Sequence, residues 1–284
     1  MPISILGRES WPSGAANEDR AGARGAYAWV IDGATDVVED RLTPGPTDAA
    51  WFAEALDRAM AARALSYDGD MALLPATLSY TLDSAFRAVA LREPAGVEEH
   101  PSAAFLALRL VGERAEYVSV GDCALIALSA GHVHLVGVEH DGAGDKWVAD
   151  EIRAHRARLP DVEPAEARRA LWSKLRAARR RMNAPDGYGV VSITPPPKAF
   201  VKTGRFAIGD ETIVLIASDG LMRIVDVFRR YDPHALLRAA AERGLSELLA
   251  ELRAIEDADP DGVEFPRAKT SDDATGLLVR LTAG

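Results

Sequence analysis

The stretch Trp29-Val30-Ile31-Asp32-Gly33-Ala34-Thr35-Asp36 decides the fold. An apolar run from Ala26 to Ile31 ends in one carboxylate and one glycine, which predicts a buried strand whose last residues leave the sheet and enter a site. The carboxylate of Asp32 can ligate a cation, and Gly33 lets a backbone carbonyl approach the same ion because it has no Cβ. Taken alone, Asp-Gly is a common turn dipeptide, so a strand that ends in a simple turn remains open at this point.

The same arrangement recurs, with carboxylates at strand ends in five separated places. The five segments are Asn17-Glu18-Asp19, Val30-Ile31-Asp32-Gly33, Val120-Gly121-Asp122, Ala217-Ser218-Asp219-Gly220 and Ser271-Asp272-Asp273. Hard divalent cations prefer oxygen ligands, several of them carboxylates, together with retained waters. None of the five segments has a histidine or cysteine pair at zinc spacing, which disfavours a zinc site.

Composition limits the class of protein. The chain has 284 residues and 48% hydrophobic content, enough to bury a large core, and its net charge of −10 argues against a general nucleic-acid binder. Its one cysteine, Cys123, excludes a disulfide within the chain and has apolar neighbours, so a small buried side chain is expected. No apolar run approaches the roughly 20 residues that span a bilayer, and no secretory signal is seen, so we expect a cytoplasmic protein.

Hydrophobic periodicity predicts the elements in order. A short strand at 2–6 and a turn-rich loop at 7–25 precede the strand at 27–32, two helices at 47–65 and 75–91, and an antiparallel meander at 103–111, 115–120, 124–129 and 132–136. Helices are then expected at 145–158, 164–182, 219–230, 233–243 and 245–256, and strands at 188–194, 199–203, 211–217 and 274–282. Because the carboxylate segments span the whole chain, one site requires one domain, residues 1–284.

Two basic features each leave alternatives. The helix at 164–182 carries Arg168, Arg169, Lys174 and four further arginines up to Arg181. A solvated helix face is favoured, and a patch for an acidic or phosphorylated partner is the alternative. His132 and His134 share one strand face, for which exposure is favoured over metal binding.

Taken together, the five ordered segments resemble the metal-dependent serine/threonine phosphatases of type 2C, the PPM family, in its bacterial form. The matching residues extend from Asn17-Glu18-Asp19-Arg20 to Asp272-Asp273-Ala274-Thr275, so the resemblance covers nearly the full chain. It implies an α+β fold, a four-layer α-β-β-α sandwich with two central antiparallel sheets flanked by helices. It also implies a centre of two Mn²⁺ or Mg²⁺ ions, and a third ion in some relatives.

The resemblance also implies a role for each carboxylate. Asp32 would bridge the two ions and activate a water, while Asp219 and Asp272 would complete the site of one ion. Asp19 and the carbonyl of Gly33 would hold the other ion, with Glu18 behind them. Asp122 would serve the third ion, and Asp273 stands where the family usually has asparagine.

The expected activity is hydrolysis of phosphoserine or phosphothreonine monoesters, with a phosphorylated protein or small molecule as partner and neither nucleic acid nor membrane. Two positions depart from the family pattern. Gly14 replaces the arginine that binds the substrate phosphate, for which Arg8, Arg20 and Arg205 are possible substitutes, and Ala34 replaces a frequent histidine. A non-catalytic module that binds a phosphorylated partner, and a phosphatase for a small phosphorylated metabolite, are therefore the alternatives.

Overall fold

The computed structural model describes residues 3–37, 40–138, 150, 154, 172–209, 211–265, 267 and 269–282. The helix predicted at 145–158 lies outside these residues except at 150 and 154. Arg168, Arg169 and the rest of the predicted 164–182 helix before residue 172 also lie outside them. Within the described residues, no helix is both long and apolar enough to cross a membrane.

The described strands are β1 (Ser4–Trp11), β2 (Asp19–Arg24), β3 (Tyr27–Gly33), β4 (Ser102–Val111), β5 (Arg114–Val120), β6 (Ala124–Ser129), β7 (His132–Val136), β8 (Val191–Ser192), β9 (Lys202–Ala207), β10 (Thr212–Ala217) and β11 (Ala274–Leu281). The described helices are α1 (Asp48–Arg63), α2 (Leu74–Val89), α3 (Trp172–Arg179), α4 (Asp219–Asp226), α5 (Pro233–Arg243) and α6 (Leu245–Ala258).

The strands form two antiparallel sheets. The first sheet has the order β1-β11-β10-β6-β7, and the second has the order β2-β3-β4-β5-β9, with β8 paired to β4. Helices α1 and α2 cover the outer face of the second sheet, and α4, α5 and α6 cover the outer face of the first. The predicted α+β sandwich of two sheets flanked by helices is confirmed.

The two-residue period of the strands separates the core into layers. In β3, Val30 faces the other sheet and packs with Ile216 and Val279, while its neighbours Trp29 and Ile31 face the helices. Each of these apolar side chains is almost fully buried. Burial of one such side chain contributes about 1.5–3 kcal/mol, so the sheets are stabilised on both faces.

The N-terminal region differs from prediction. The predicted loop at 7–25 contains most of β1 and all of β2. β1 is an edge strand with mostly exposed or half-buried residues, and β2 reads Asp-Arg-Ala-Gly-Ala-Arg, so neither has an apolar alternation. A Cβ at Gly22 would overlap the indole of Trp29, so β2 needs glycine where it crosses that ring.

Two other predicted strands are also displaced. Only Val191 and Ser192 are extended in the predicted strand at 188–194, and β9 begins at Lys202, after a 3-10 turn at Lys198–Phe200. The three prolines at 195–197 explain the shift, because proline lacks the N–H that a central strand donates. His132 is exposed, as predicted, whereas the ring of His134 stacks on Phe206 at 4.8 Å between centroids.

Candidate metal centre

Asp19 and Asp32 lie opposite each other on neighbouring strands, at one end of the sandwich. The register pairs Asp19, the first residue of β2, with Asp32, near the end of β3. Asp19 is 1% exposed. Two carboxylates at a directly paired position repel each other, so a sheet that places them together requires a compensating cation or a proton.

The electrostatics of Asp32 show how concentrated the negative charge is. Burial raises the pKa of Asp32 well above its usual range, and the neighbouring carboxylates Asp219, Asp19, Asp122 and Asp272 raise it further. The backbone N–H of Asp219 donates to Asp32 Oδ2 at 3.3 Å, so the N-terminus of α4 faces this carboxylate. The residues predicted as ligands from four of the five segments therefore surround Asp32.

Asp19 has an oxygen without a protein partner. Burial raises the pKa of Asp19 to about 7, although hydrogen bonds from the side chains of Ser218 and Thr275 lower it in part. Asp19 Oδ2 is buried and has no hydrogen-bond partner among the described residues. A buried, unsatisfied carboxylate oxygen is rare in folded proteins, and a bound cation would satisfy it.

Position 33, directly after Asp32, has no room for a side chain. Its N–H donates to the carbonyl of Glu18 at 3.0 Å, and a Cβ at this position would overlap that same carbonyl oxygen. The Glu18 carboxylate lies nearby and accepts a hydrogen bond from Thr35 Oγ1 at 2.7 Å. The close approach of the 17–19 and 32–35 segments is therefore a property of the backbone.

Asp272 differs from the other carboxylates because it is paired with two cations. Lys269 Nζ lies 3.0 Å from Oδ1, and Arg223 Nη2 lies 2.9 Å from Oδ2. Burial acts to raise the pKa of Asp272, but Lys269 and Arg223 outweigh it and hold the pKa below its usual value. Lys269 Nζ also donates to Thr35 Oγ1 at 2.8 Å, which connects the ends of the two sheets.

The adjacent residue, Asp273, has a structural role. Its Oδ1 accepts from the backbone N–H and the hydroxyl of Ser13 at 2.6 and 2.9 Å, and its Oδ2 accepts from the N–H of Glu18 at 2.5 Å. Both oxygens therefore hold the loop that leads into β2. Asparagine has only one acceptor oxygen on its side chain, so the carboxylate suits these three donors.

Asp122 follows β5 of the second sheet, and it is solvent-exposed. It follows Gly121, whose φ of +93° and close contact with Ala104 both favour glycine. The next residue, Cys123, is buried, and burial together with the carboxylates raises the pKa of its thiol well above the usual value. Cys123 is therefore a protonated core side chain, as the sequence predicts.

The three arginines predicted as substitutes for position 14 lie in different surroundings. Arg205 lies on β9, opposite Glu116 of β5 in the strand register. Glu116 is six residues before Asp122, so Arg205 is about 20 Å from the site along the strand. Arg205 instead lines a separate cavity with Asp70 and Arg109. Arg20 Nη1 donates to the carbonyls of Asn17 and Asp19 at 2.9 and 2.7 Å, and Arg8 is exposed on β1, opposite Leu277.

Two arginines of α3 contact the backbone that follows β3. Arg179 Nη2 donates to the carbonyl of Ala34 at 2.9 Å, and Arg176 Nη2 donates to that of Val37 at 2.9 Å. Arg179 is 9% exposed and contacts the side chain of Tyr188, so the favoured interpretation of a fully solvated helix face is wrong for Arg179. Arg180 and Arg181 are exposed, as that interpretation predicts.

The donor set suits a hard divalent cation in its chemistry. It consists of carboxylates and one backbone carbonyl, and it includes the unsatisfied Asp19 Oδ2. Within the described ranges, no three acidic, histidine or cysteine side chains converge on one point as metal ligands do. The pairing of Asp272 with Lys269 and Arg223 is one visible reason, because these cations engage both of its oxygens.

Comparison with solved structures identifies the fold. The chain superposes on Mycobacterium tuberculosis PstP/Ppp, a serine/threonine phosphatase, with a TM-score of 0.58 and 16% identity, covering 99% of this chain and 100% of that one. The chain has the PPM phosphatase fold. A PstP catalytic domain in complex with two manganese ions gives a TM-score of 0.56 at 16% identity, covering 99% and 100% of the two chains.

Another PPM-fold relative is MsPP from Mycobacterium smegmatis, solved in complex with cacodylate, with a TM-score of 0.52 and 17% identity over 98% of this chain and 99% of that one. No protein-family model matches the sequence, and no curated protein matches it significantly. The resemblance that the five segments indicate is thus supported by the shape of the backbone.

Sequence reasoning missed the cations of this PPM-fold site. Lys269, three residues before Asp272, could have been noticed by its spacing in Arg-Ala-Lys-Thr-Ser-Asp-Asp. Arg223 and Arg179 gave no such signal, because each reaches the site from a helix whose packing brings it there. Thr35 lies in the stretch 29–36, but nothing in the sequence indicates its contacts with Glu18 and Lys269.

Proposed function

We propose that the chain is a Mg²⁺- or Mn²⁺-dependent phosphatase that hydrolyses phosphoserine and phosphothreonine monoesters. The observation that carries the proposal is the half-buried carboxylate Asp32 in a PPM-type fold, opposite the buried Asp19, with four carboxylates that together raise its pKa. So much negative charge is costly in a protein interior unless cations offset it. Divalent ions also supply what phosphate ester hydrolysis needs, an acidified water and positive charge for the phosphate oxygens.

In this proposal, Asp32, Asp219 and Asp272 would hold one ion, and Asp32, Asp19 and the Gly33 carbonyl would hold the other. Asp122 would serve a third ion. The N–H of Asp219 orients Asp32 through the hydrogen bond to its Oδ2, and Thr35 orients Glu18. The attacking group would be a water acidified by the ions, so no side-chain nucleophile is required.

The test is hydrolysis of p-nitrophenyl phosphate in Mn²⁺, in Mg²⁺ and in EDTA. We expect metal-dependent turnover that falls at least about 100-fold in Asp32→Asn and Asp219→Asn, since replacing a residue that merely orients a ligand already reaches that value. Asp83→Asn is the control, because Asp83 forms a surface ion pair with Arg87 on α2. Equal losses in all three variants, or metal-independent turnover, would contradict the proposal.

A second candidate is a module that binds a phosphorylated partner without turnover. It is favoured by Gly14, which stands where the resemblance expects an arginine that binds the substrate phosphate. Of the three predicted substitutes, Arg205 is distant, Arg20 donates to backbone carbonyls and Arg8 is exposed on β1. A Cβ at Gly14 meets nothing within 4 Å, so an arginine can be introduced there without steric conflict.

Gly14→Arg separates the two candidates. If the chain is a phosphatase with a weakened phosphate site, the variant lowers KM for phosphopeptides or p-nitrophenyl phosphate by about tenfold, the gain of one charge-assisted hydrogen-bond pair. If the chain is a binding module, phosphopeptides bind but neither protein turns them over. A panel of phosphorylated metabolites in the same assay tests the small-molecule alternative.

A further inference from the structure

The carboxylate of Asp272 already has a cation at each oxygen. Lys269 Nζ contacts Oδ1 at 3.0 Å, and Arg223 Nη2 contacts Oδ2 at 2.9 Å. Within the described ranges, no lysine or arginine forms an ion pair with Asp19 or Asp32, two other members of the cluster. Asp272 is therefore a ligand at which protein cations meet the proposed metal centre.

The two cations differ in their freedom to leave. The side chain of Arg223 is 3% exposed and lies 3.8 Å from the buried carboxylate of Glu256, so it is enclosed behind Asp272. The side chain of Lys269 is 42% exposed and extends from the loop before β11. Its other contact, with Thr35 Oγ1, is a single hydrogen bond to a neutral hydroxyl.

We propose that Lys269 competes with a divalent cation for the Asp272 carboxylate. The ion for which Asp272 is a ligand therefore binds more weakly than it would at the same carboxylates without the lysine. This inference rests on the proposed function. An ammonium group and a divalent cation cannot both contact the same carboxylate oxygen without strong like-charge repulsion, because the surroundings are largely buried. Binding of the ion therefore requires Lys269 to move toward solvent.

A consequence is graded occupancy. Asp19 and Asp32 lack such a competitor among the described residues, so an ion at these two carboxylates binds first and one that needs Asp272 binds at a higher free concentration. The exposure of Lys269 makes the exchange possible without unfolding the loop.

The experiment measures Mn²⁺ binding, by electron paramagnetic resonance of the free ion and by calorimetry, on four full-length proteins. These are the wild type, Lys269→Met, Lys269→Arg and Arg58→Met. Arg58 is paired with Glu54 on the outer surface of α1, and its replacement changes the net charge by the same amount as Lys269→Met. Thermal unfolding in EDTA verifies that each protein is folded.

We expect the weakest wild-type Mn²⁺ site to become at least about tenfold tighter in Lys269→Met, the effect of removing one close cation. Lys269→Arg keeps the positive charge and stays within a few-fold of the wild type. Unchanged or weaker Mn²⁺ binding in Lys269→Met, or equal tightening in Arg58→Met, would overturn the inference and leave the proposed function intact. Absence of Mn²⁺ binding by all four proteins would overturn the proposed metal centre and the inference with it.

Discussion

Replacing Asp19 with asparagine should stabilise the metal-free protein. Burial raises the pKa of Asp19 from 3.8 to about 7, so the folded state holds a proton that the unfolded chain releases at lower pH. Stability is therefore lost as the pH rises from about 4 to about 7, and the loss persists above that range. At 1.36 kcal/mol per pKa unit, the ionised carboxylate costs about 4 kcal/mol at pH 8. Asparagine has the same shape as aspartate and carries no charge.

The assay is urea and thermal unfolding in EDTA at several pH values between 4 and 8. We expect Asp19→Asn to exceed the wild type by up to about 4 kcal/mol at pH 8, which corresponds to a rise of about 8 °C in Tm for a chain of this size. The difference should shrink to under about 1 kcal/mol near pH 4, where the folded carboxyl holds its proton and the unfolded one is close to its pKa of 3.8. Addition of Mn²⁺ should reverse the order, because only the wild type keeps the full ligand set.

The control is Asp83→Asn, whose carboxylate forms a surface pair and contributes under about 1 kcal/mol. Parallel stability curves for wild type and Asp19→Asn across the pH range in EDTA would refute the reasoning. In that case the Asp19 carboxylate would be neutralised by a protein group, and an ion would not be needed to satisfy its Oδ2.

Two further substitutions test how the backbone and the loop before β11 support the site. Gly220→Ala should destabilise the fold by about 3 kcal/mol, because a Cβ at this position overlaps the carbonyl oxygen of Asp273. Thermal unfolding measures the loss of stability. Gly14→Ala is the control, because a Cβ at position 14 meets nothing within 4 Å. Arg267→Leu should cost about 3–5 kcal/mol and weaken Mn²⁺ binding, because the buried guanidinium pairs with Asp259 at 3.0 Å and donates to the carbonyl of Thr270 at 2.8 Å. Arg87→Leu, at an exposed pair, should change neither quantity by much, and equal effects of the two arginine substitutions would contradict a special role for Arg267.

The central strands could be predicted because their physics is local. β3, β5 and β10 are apolar runs that end at or next to Asp-Gly or Gly-Asp. β6 and β7 match the predicted bounds. α5 also matches, since Asp232 caps it through the N–H of Ala235 and Pro233 occupies its first turn. In these segments the propensity, the apolar pattern and the turn residues agree.

β2 and most of β1 could not be predicted in the same way, although the predicted strand at 2–6 overlaps the start of β1. β2 contains only small and charged residues, and it is a strand because β3 pairs with it and because Gly22 leaves room for Trp29. The information lies in the partner strand. The residues of β2 alone do not indicate a strand, because their intrinsic preference for the extended conformation is weak. Pairing with β3 overrides that weak preference.

In the candidate site, the carboxylates could be predicted from the sequence and the cations could not. The carboxylates were identifiable because each follows or precedes a strand that the sequence already reveals. The cations Lys269, Arg223 and Arg179 reach the site from a loop and two helices, so their positions depend on packing between distant parts of the chain. Their effect on Asp272 and on the Ala34 carbonyl is a property of the assembled structure.

The pairing of the first strand with the last has a consequence for synthesis. β1 lies beside β11, and the N–H of Glu18 donates to Asp273, 255 positions further along the chain. Contacts of such high sequence separation carry a large entropic cost of loop closure, so they form late in folding. During synthesis, β1 has no β11 to pair with until residues 274–281 have left the ribosome. The loop that leads into β2 likewise gains its acceptor only after Asp273 emerges, so the end of the sandwich that carries Asp19 is completed late.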